Sequence, residues 1–207
     1  MTTRPTKTAL LTAAALIAAA LLPSCAGFAV GGASGSSTTR SANNLVFNVE
    51  YPIRVSQATD RNTADIYLTD LSDDELSAIF AEPQDWSGIT GTLTHIHIFV
   101  APEPGKTPIE STAASATIRT IIIANGQIGV YDGAGFLLPG GSVTKGRVSA
   151  RVRNAPMRLT RATPGFADPL VTPEMDLSFS VRPDTQAASE LDARVEALSA
   201  AADPVRD

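Results

Sequence analysis

The feature that most constrains this chain is a period of two. Leu45, Phe47, Val49, Tyr51, Ile53 and Val55 alternate with Asn48, Glu50, Pro52, Arg54 and Ser56. Successive side chains of an extended strand point to opposite faces, so this spacing gathers six apolar groups on one side. Val46 is the exception on the other side. Pro52 lacks a backbone donor and predicts an edge position or a bulge. The period returns in Ala64, Ile66 and Leu68, in Val148, Ala150 and Val152, and in Leu177, Phe179 and Val181. Residues 93–100 and 116–124 are apolar on both faces, as central strands are, and 128–131 and 136–138 are shorter pieces between glycines. Seven to nine short strands with Gly, Pro, Asn and Asp between them predict an all-β chain, an antiparallel β-sandwich or jelly roll.

Two helices complete this reading. Ser72 and Glu75 form a capping box, which predicts a short helix near 73–80. After Pro183, the residues Ala188, Leu191, Val195, Leu198 and Ala202 recur at spacings of three and four. That stripe predicts an amphipathic helix within 184–207, which docks on the sandwich or pairs with a partner helix. Residues 45–183 are enough for one domain with a core of ordinary size.

The start of the chain has a different character. Arg4 and Lys7 precede an uncharged apolar stretch, residues 9–22. It falls short of the roughly 20 residues that span a bilayer and reads as a signal peptide. The sequence Leu22-Pro23-Ser24-Cys25 at its end resembles the lipobox of bacterial lipoprotein precursors. The resemblance covers residues 1–25. It implies that the Cys25 thiol is lipidated and that residues 1–24 are cut away, leaving the protein held to the membrane by a lipid anchor. Ala26, where an aspartate would imply inner-membrane retention, implies the outer membrane, facing the periplasm or the cell surface. An ordinary secretory signal cut near 29–31 is the alternative. Cys25 is the only cysteine, so no disulfide braces the rest of the chain. Residues 25–44 are mostly Gly, Ser, Thr and Ala, and are expected to form a flexible tether behind the lipidated cysteine.

Without residues 1–24 the chain keeps 14 of its 16 Lys and Arg against 21 Asp and Glu, a net of −7. That balance argues against a nucleic-acid partner. Lys145, Arg147, Arg151, Arg153, Arg158 and Arg161 nevertheless concentrate cations. The residues at 147, 151 and 153 share one strand face, which suits a carboxylate- or phosphate-bearing envelope polysaccharide, or pairs with acidic side chains across the sheet.

The two histidines stand together as His95-Ile96-His97. On a strand they share a face and can reach one ligand, so they are the candidate site for one transition-metal ion. Glu103, Glu110, Asp132 and Glu174 are candidate third ligands by chemistry alone. The alternative is that both rings hydrogen-bond within the sheet, and no cofactor is needed. With Gly88 before it, and Gly133, Pro139 and Gly141 later, the pair is similar to the cupin motifs. Glu103 stands one residue beyond the motif's glutamate, and Thr144 stands where its later histidine would be. The resemblance implies a metal-binding jelly roll and leaves room for an enzyme. Residues 125–141 hold six glycines with no helix after them, which predicts hairpin turns rather than a phosphate loop. Tyr131 and Asp132 within this stretch are a candidate ligand-binding pair. Trp86 is expected in a loop, stacked on a sugar or capping the core. No G-x-S-x-G elbow is present. The leading expectation is a lipid-anchored, non-enzymatic binding or assembly module whose partner is another envelope protein or a polysaccharide.

Overall fold

The computed structural model describes residues 35–60, 63–81, 86–100, 113–139 and 146–206. Cys25, Glu103, Glu110, Gly141 and Thr144 lie outside these residues, as does the expected signal peptide. The chain runs β1 (Gly35–Arg40), β2 (Val46–Glu50), β3 (Ile53–Ala58), β4 (Ala64–Thr69), α1 (Asp73–Ala81), β5 (Gly91–Ile98), β6 (Ala116–Ala124), β7 (Gln127–Gly135), β8 (Leu137–Pro139), β9 (Val148–Ala162), β10 (Glu174–Pro183), α2 (Thr185–Ala201) and β11 (Asp203–Pro204). It is an all-β, sandwich-like fold with a C-terminal helix.

Strands β3 to β7 pair in chain order, each antiparallel to the one before. These five strands form an up-and-down meander. β7 pairs with the second half of β9, the first half of β9 pairs with β10, and the end of β10 pairs with β3. The run therefore closes on itself. β1 and β2 extend β10 to form a first sheet with β9 and β8, facing the second sheet of β3 to β7. The β3–β10 pair is parallel, matching Val55 to Arg182 and Ser56 to Pro183. The arrangement is thus mixed, not purely antiparallel as expected, because β10 runs past the end of β1 and meets β3 at the corner between the sheets.

The period of two over residues 45–55 does not gather one buried face: Leu45 is 44% exposed, Val49 and Tyr51 join the core between the sheets, and Ile53 and Val55 pack against the cluster under α2. It divides at Tyr51 and Pro52, where the chain leaves the first sheet and enters the second. Inward side chains of both sheets, among them Ile66, Leu68, Ile96, Ile118, Val152, Leu177 and Phe179, are 2% exposed or less. Threaded through this apolar layer is a chain of hydroxyls. Tyr51 Oη lies 2.8 Å from Ser37 Oγ and 3.1 Å from Thr94 Oγ1, and Thr94 Oγ1 lies 3.1 Å from Thr120 Oγ1. A buried hydroxyl without a partner is costly, so the chain is as much a packing constraint as the aliphatic contacts around it.

β1 corrects one expectation. Residues 35–40 fall inside the segment read as a flexible tether over 25–44, yet they form a strand bonded to β10 on one side and β2 on the other. Its inward positions are Gly35, Ser37 and Thr39, all buried. The small hydroxyl residues fit there because Tyr51 reaches across to bond Ser37.

Both helices begin as the sequence dictates. Ser72 Oγ accepts from Glu75 N while the Glu75 carboxylate accepts from Ser72 N, so α1 opens on a reciprocal cap. Asp184 caps α2 by accepting from Ala187 N at 3.0 Å. The stripe of Ala188, Leu191, Val195 and Leu198 is buried against Tyr67, Leu93, Ile121, Ile123 and Val130 on the outer face of the second sheet. Leu76 and Ile79 of α1, with Trp86, close the same cluster. The docked alternative holds for the helix, and its apolar stripe is covered. Trp86 is 6% exposed and caps this second core.

Candidate functional site

The outer face of the second sheet is apolar where the helices cover it and polar beyond the margin of α2. The polar end carries Asp65 on β4, His95 and His97 on β5, Thr117 and Arg119 on β6, and Asp132 on β7. Registry explains the grouping. Asp65 stands directly opposite His97, and His95 opposite Arg119. Arg119 in turn stands opposite Asp132.

One oxygen organises the histidines. Asp65 Oδ1 lies 2.9 Å from His95 Nε2 and 2.8 Å from His97 Nδ1. Burial pushes the Asp65 carboxyl up, but the bonds from His97 and His95, and the charge of the rings, outweigh it and hold the carboxyl below its ordinary value. An ionised oxygen can only accept, so each of those two nitrogens carries a proton. The His95 ring also lies flat on Tyr67, with centroids 4.7 Å apart and planes 3° from parallel. Tyr67 Oη donates to Asp192 of α2 at 2.8 Å, and burial followed by that carboxylate raises the phenol far above its ordinary value. The helix thereby fixes the tyrosine, the tyrosine fixes His95, and Asp65 ties His95 to His97.

A second polar group adjoins the first. Arg119 Nε donates to Asp132 Oδ1 at 2.8 Å and its Nη1 lies 3.7 Å from Glu196 of α2. The Asp132 bond raises the guanidinium further against the opposing effect of burial. Thr160 of β9 donates to the other Asp132 oxygen at 2.7 Å. Together His95, Thr117, Arg119, Asp132 and Glu196 line an open groove of about 330 Å³.

The structure sorts the candidate residues. His95 and His97 share a face as their spacing predicts. Tyr131 and Asp132 do not form a pair, which corrects that expectation. They are neighbours on one continuous strand and so point to opposite faces. Tyr131 is 2% exposed, with its hydroxyl on Asp168, while Asp132 faces the groove. Among the candidate third ligands, Asp132 is held by Arg119 and Thr160, and Glu174 belongs to the first sheet opposite Pro156 and Arg40. Asp65 was not among them. Its only sequence signal is its parity in Ala64-Asp65-Ile66, which puts it on the outer side of a half-buried strand. Among the described residues no group of three or more His, Cys, Asp and Glu is placed to hold a metal ion. Among the described residues the hydrogen-bond partner of both imidazoles is Asp65. Arg151 and Arg153 are exposed on the outer face of the first sheet, beside Ser36, Thr38, Asp176 and Ser178.

No protein-family model matches the chain, and no curated protein and no solved structure matches it.

Proposed function

We propose that this chain is a lipid-anchored protein of the bacterial cell envelope, at the outer membrane, whose β-sandwich is a non-enzymatic binding or assembly module. The observation that carries the reading is Leu22-Pro23-Ser24-Cys25 at the end of an apolar stretch with a basic start. No helix among the described residues is long and apolar enough to cross a membrane, and the apolar faces of both helices are spent on the sheet. The polar ends of the histidine rings are engaged by Asp65. What remains for recognition is the half-exposed polar face beside α2, and the serine- and arginine-bearing face of the first sheet, which suits an envelope polysaccharide or protein. The test is fractionation of cells expressing Cys25→Ser. The variant leaves the membrane fraction or accumulates as an uncut precursor. Wild-type membrane retention and normal processing of the variant refute the anchor.

A further inference from the structure

We propose that the groove on the outer face of the first sheet binds a phosphoryl group carried on a sugar, with Arg151 and Arg153 holding the anion. The inference deepens the binding-module reading, on which it rests, by naming the chemistry of its ligand.

Registry is the first argument. Arg151 faces outward on β9, and its cross-strand neighbours are Ser178 on β10 and Leu138 on β8. Beyond Ser178 comes Ser36, and the carboxylate that ends this row is Glu50 on β2. Neighbouring strands lie about 4.8 Å apart, which puts Glu50 three spacings, roughly 14 Å, from Arg151. Among the described residues no acidic side chain therefore stands directly across from this arginine. The carboxylate diagonal to it, Asp176, is engaged by other groups. Its Oδ2 accepts from Arg40 Nη1 at 2.5 Å and its Oδ1 from Asn154 N at 2.9 Å. The Arg40 bond leads the effects that outweigh burial and hold the Asp176 carboxyl below its ordinary value, and the Arg153 charge is the smallest of them.

The sheet is also built to turn Arg153 outward. Leu177 pairs with Val152 and Met175 with Ala155, so Arg153 and Asn154 together face the single residue Asp176. Arg153 and Asn154 are both exposed. Asn154 takes a φ of 48°, a left-handed conformation that asparagine tolerates. Bulges re-aim side chains and are frequent beside active sites.

Chemistry selects the ligand. Arg151 and Arg153 are alternate residues of one strand, about 7 Å apart along it. Each presents a fork of donors that matches a pair of phosphoryl oxygens. A phosphoryl group offers three acceptor oxygens and close to two charges, enough for both forks, whereas a carboxylate is satisfied by one. Sugar hydroxyls need donors and acceptors together. Ser36 and Ser178, directly opposite each other, supply both, while Thr38 donates to Asn48 at 2.8 Å and is left to accept. With the two arginines and Asp176 these residues line a groove of about 360 Å³, within the range of small-ligand pockets. A lipid head group would instead bring acyl chains to a surface of hydroxyls. Because Arg40 answers Asp176, Arg151 and Arg153 leave the groove positive in a chain of net charge −5.

The experiment uses the full chain purified in detergent and follows backbone amide NMR shifts during titration with glucose-6-phosphate. Glucose, inorganic phosphate and dihexanoylphosphatidylglycerol are the comparisons. Wild type shows saturable shifts at Ser36, Arg151, Arg153 and Ser178, glucose produces none, and added sodium chloride weakens the binding. Arg151→Gln and Arg153→Gln each weaken it about tenfold, as loss of a charge-assisted hydrogen bond does. The double variant abolishes binding at an unchanged melting temperature. Arg182→Gln, on the same face but outside the groove, binds as wild type does. No saturable shift in wild type overturns the inference, as does wild-type affinity in the double variant or an equal response to glucose. Equal binding of inorganic phosphate removes the sugar, and tighter binding of the phosphatidylglycerol transfers the groove to a lipid, so either also overturns it. Those outcomes leave the lipid-anchored module standing, since the fractionation of Cys25→Ser is scored in cells and needs no ligand.

Discussion

Leu198→Ala tests whether α2 is part of the folded core or an accessory held loosely against it. Leu198 is 0% exposed and packs in the cluster between α2 and the second sheet. The substitution removes three carbon atoms from that cluster, and at about 0.8 kcal/mol per buried carbon the transfer loss alone is roughly 2.4 kcal/mol. The cavity left behind adds to this, more so where the surroundings cannot collapse. Collapse is restricted here because the end of the helix is pinned. Arg161 Nε donates to Ala202 O, Val205 N donates to Thr160 O, and β11 pairs with the end of β9. The expected loss is therefore about 3–4 kcal/mol, inside the range of about 2–5 measured for such truncations. Urea unfolding of the full chain reads it as a fall in midpoint at unchanged slope. Gln186→Ala, on the exposed side of the same helix, is the control and stays within about 0.5 kcal/mol of wild type. A loss below about 1 kcal/mol for Leu198→Ala refutes the docking argument, because no side chain buried in a rigid cluster is removed so cheaply.

Two further outcomes follow from particular contacts. A β-carbon at Gly129 would stand 2.2 Å from the Phe166 ring, so Gly129→Ala displaces the segment after β9 that Phe166 fastens to β7. It costs about 1–3 kcal/mol and admits protease between residues 163 and 173, whereas wild-type stability and resistance contradict the packing described. Asp65, whose folded carboxyl is held below its ordinary 3.8, contributes stability that is complete above that value and is lost as pH falls through the lower folded one. Asp65→Asn therefore flattens the acid limb of the melting curve below about pH 4, and parallel curves for the two proteins would sink the account.

How much of this was legible in the sequence depended on which signal each residue carried. The Ser72–Glu75 box and the stripe from Ala188 to Ala202 are local, and both helices lie where those residues put them. The strands with apolar inner faces were equally plain. β1 was hidden because Gly35, Ser37 and Thr39 show no hydrophobic alternation, and their burial depends on a tyrosine in a different strand. Tyr131 and Asp132 were misread together because glycines at 126, 129, 133 and 135 suggested turns, while only the first of these sits in one and β7 continues through the others. The histidine pair could be seen, but its partner could not. Asp65 reaches the rings through cross-strand registry, which depends on how β4 slides against β5 and is written in no single segment.

The pairing of β1 with β10 has a consequence for when this protein can fold. Arg40 meets Asp176, 136 positions further along the chain, and α2 covers the second sheet only after β10 is complete. A polypeptide delivered to its compartment with the N-terminus leading would present β1 long before a neighbour for it exists. Non-local contacts of this kind slow folding, since loop closure must come before the reward. The meander of β3 to β7 can assemble early, but the two halves cannot be sealed until nearly the last residue has arrived. If it is exported as proposed, such a chain would stay open throughout its passage and become compact late.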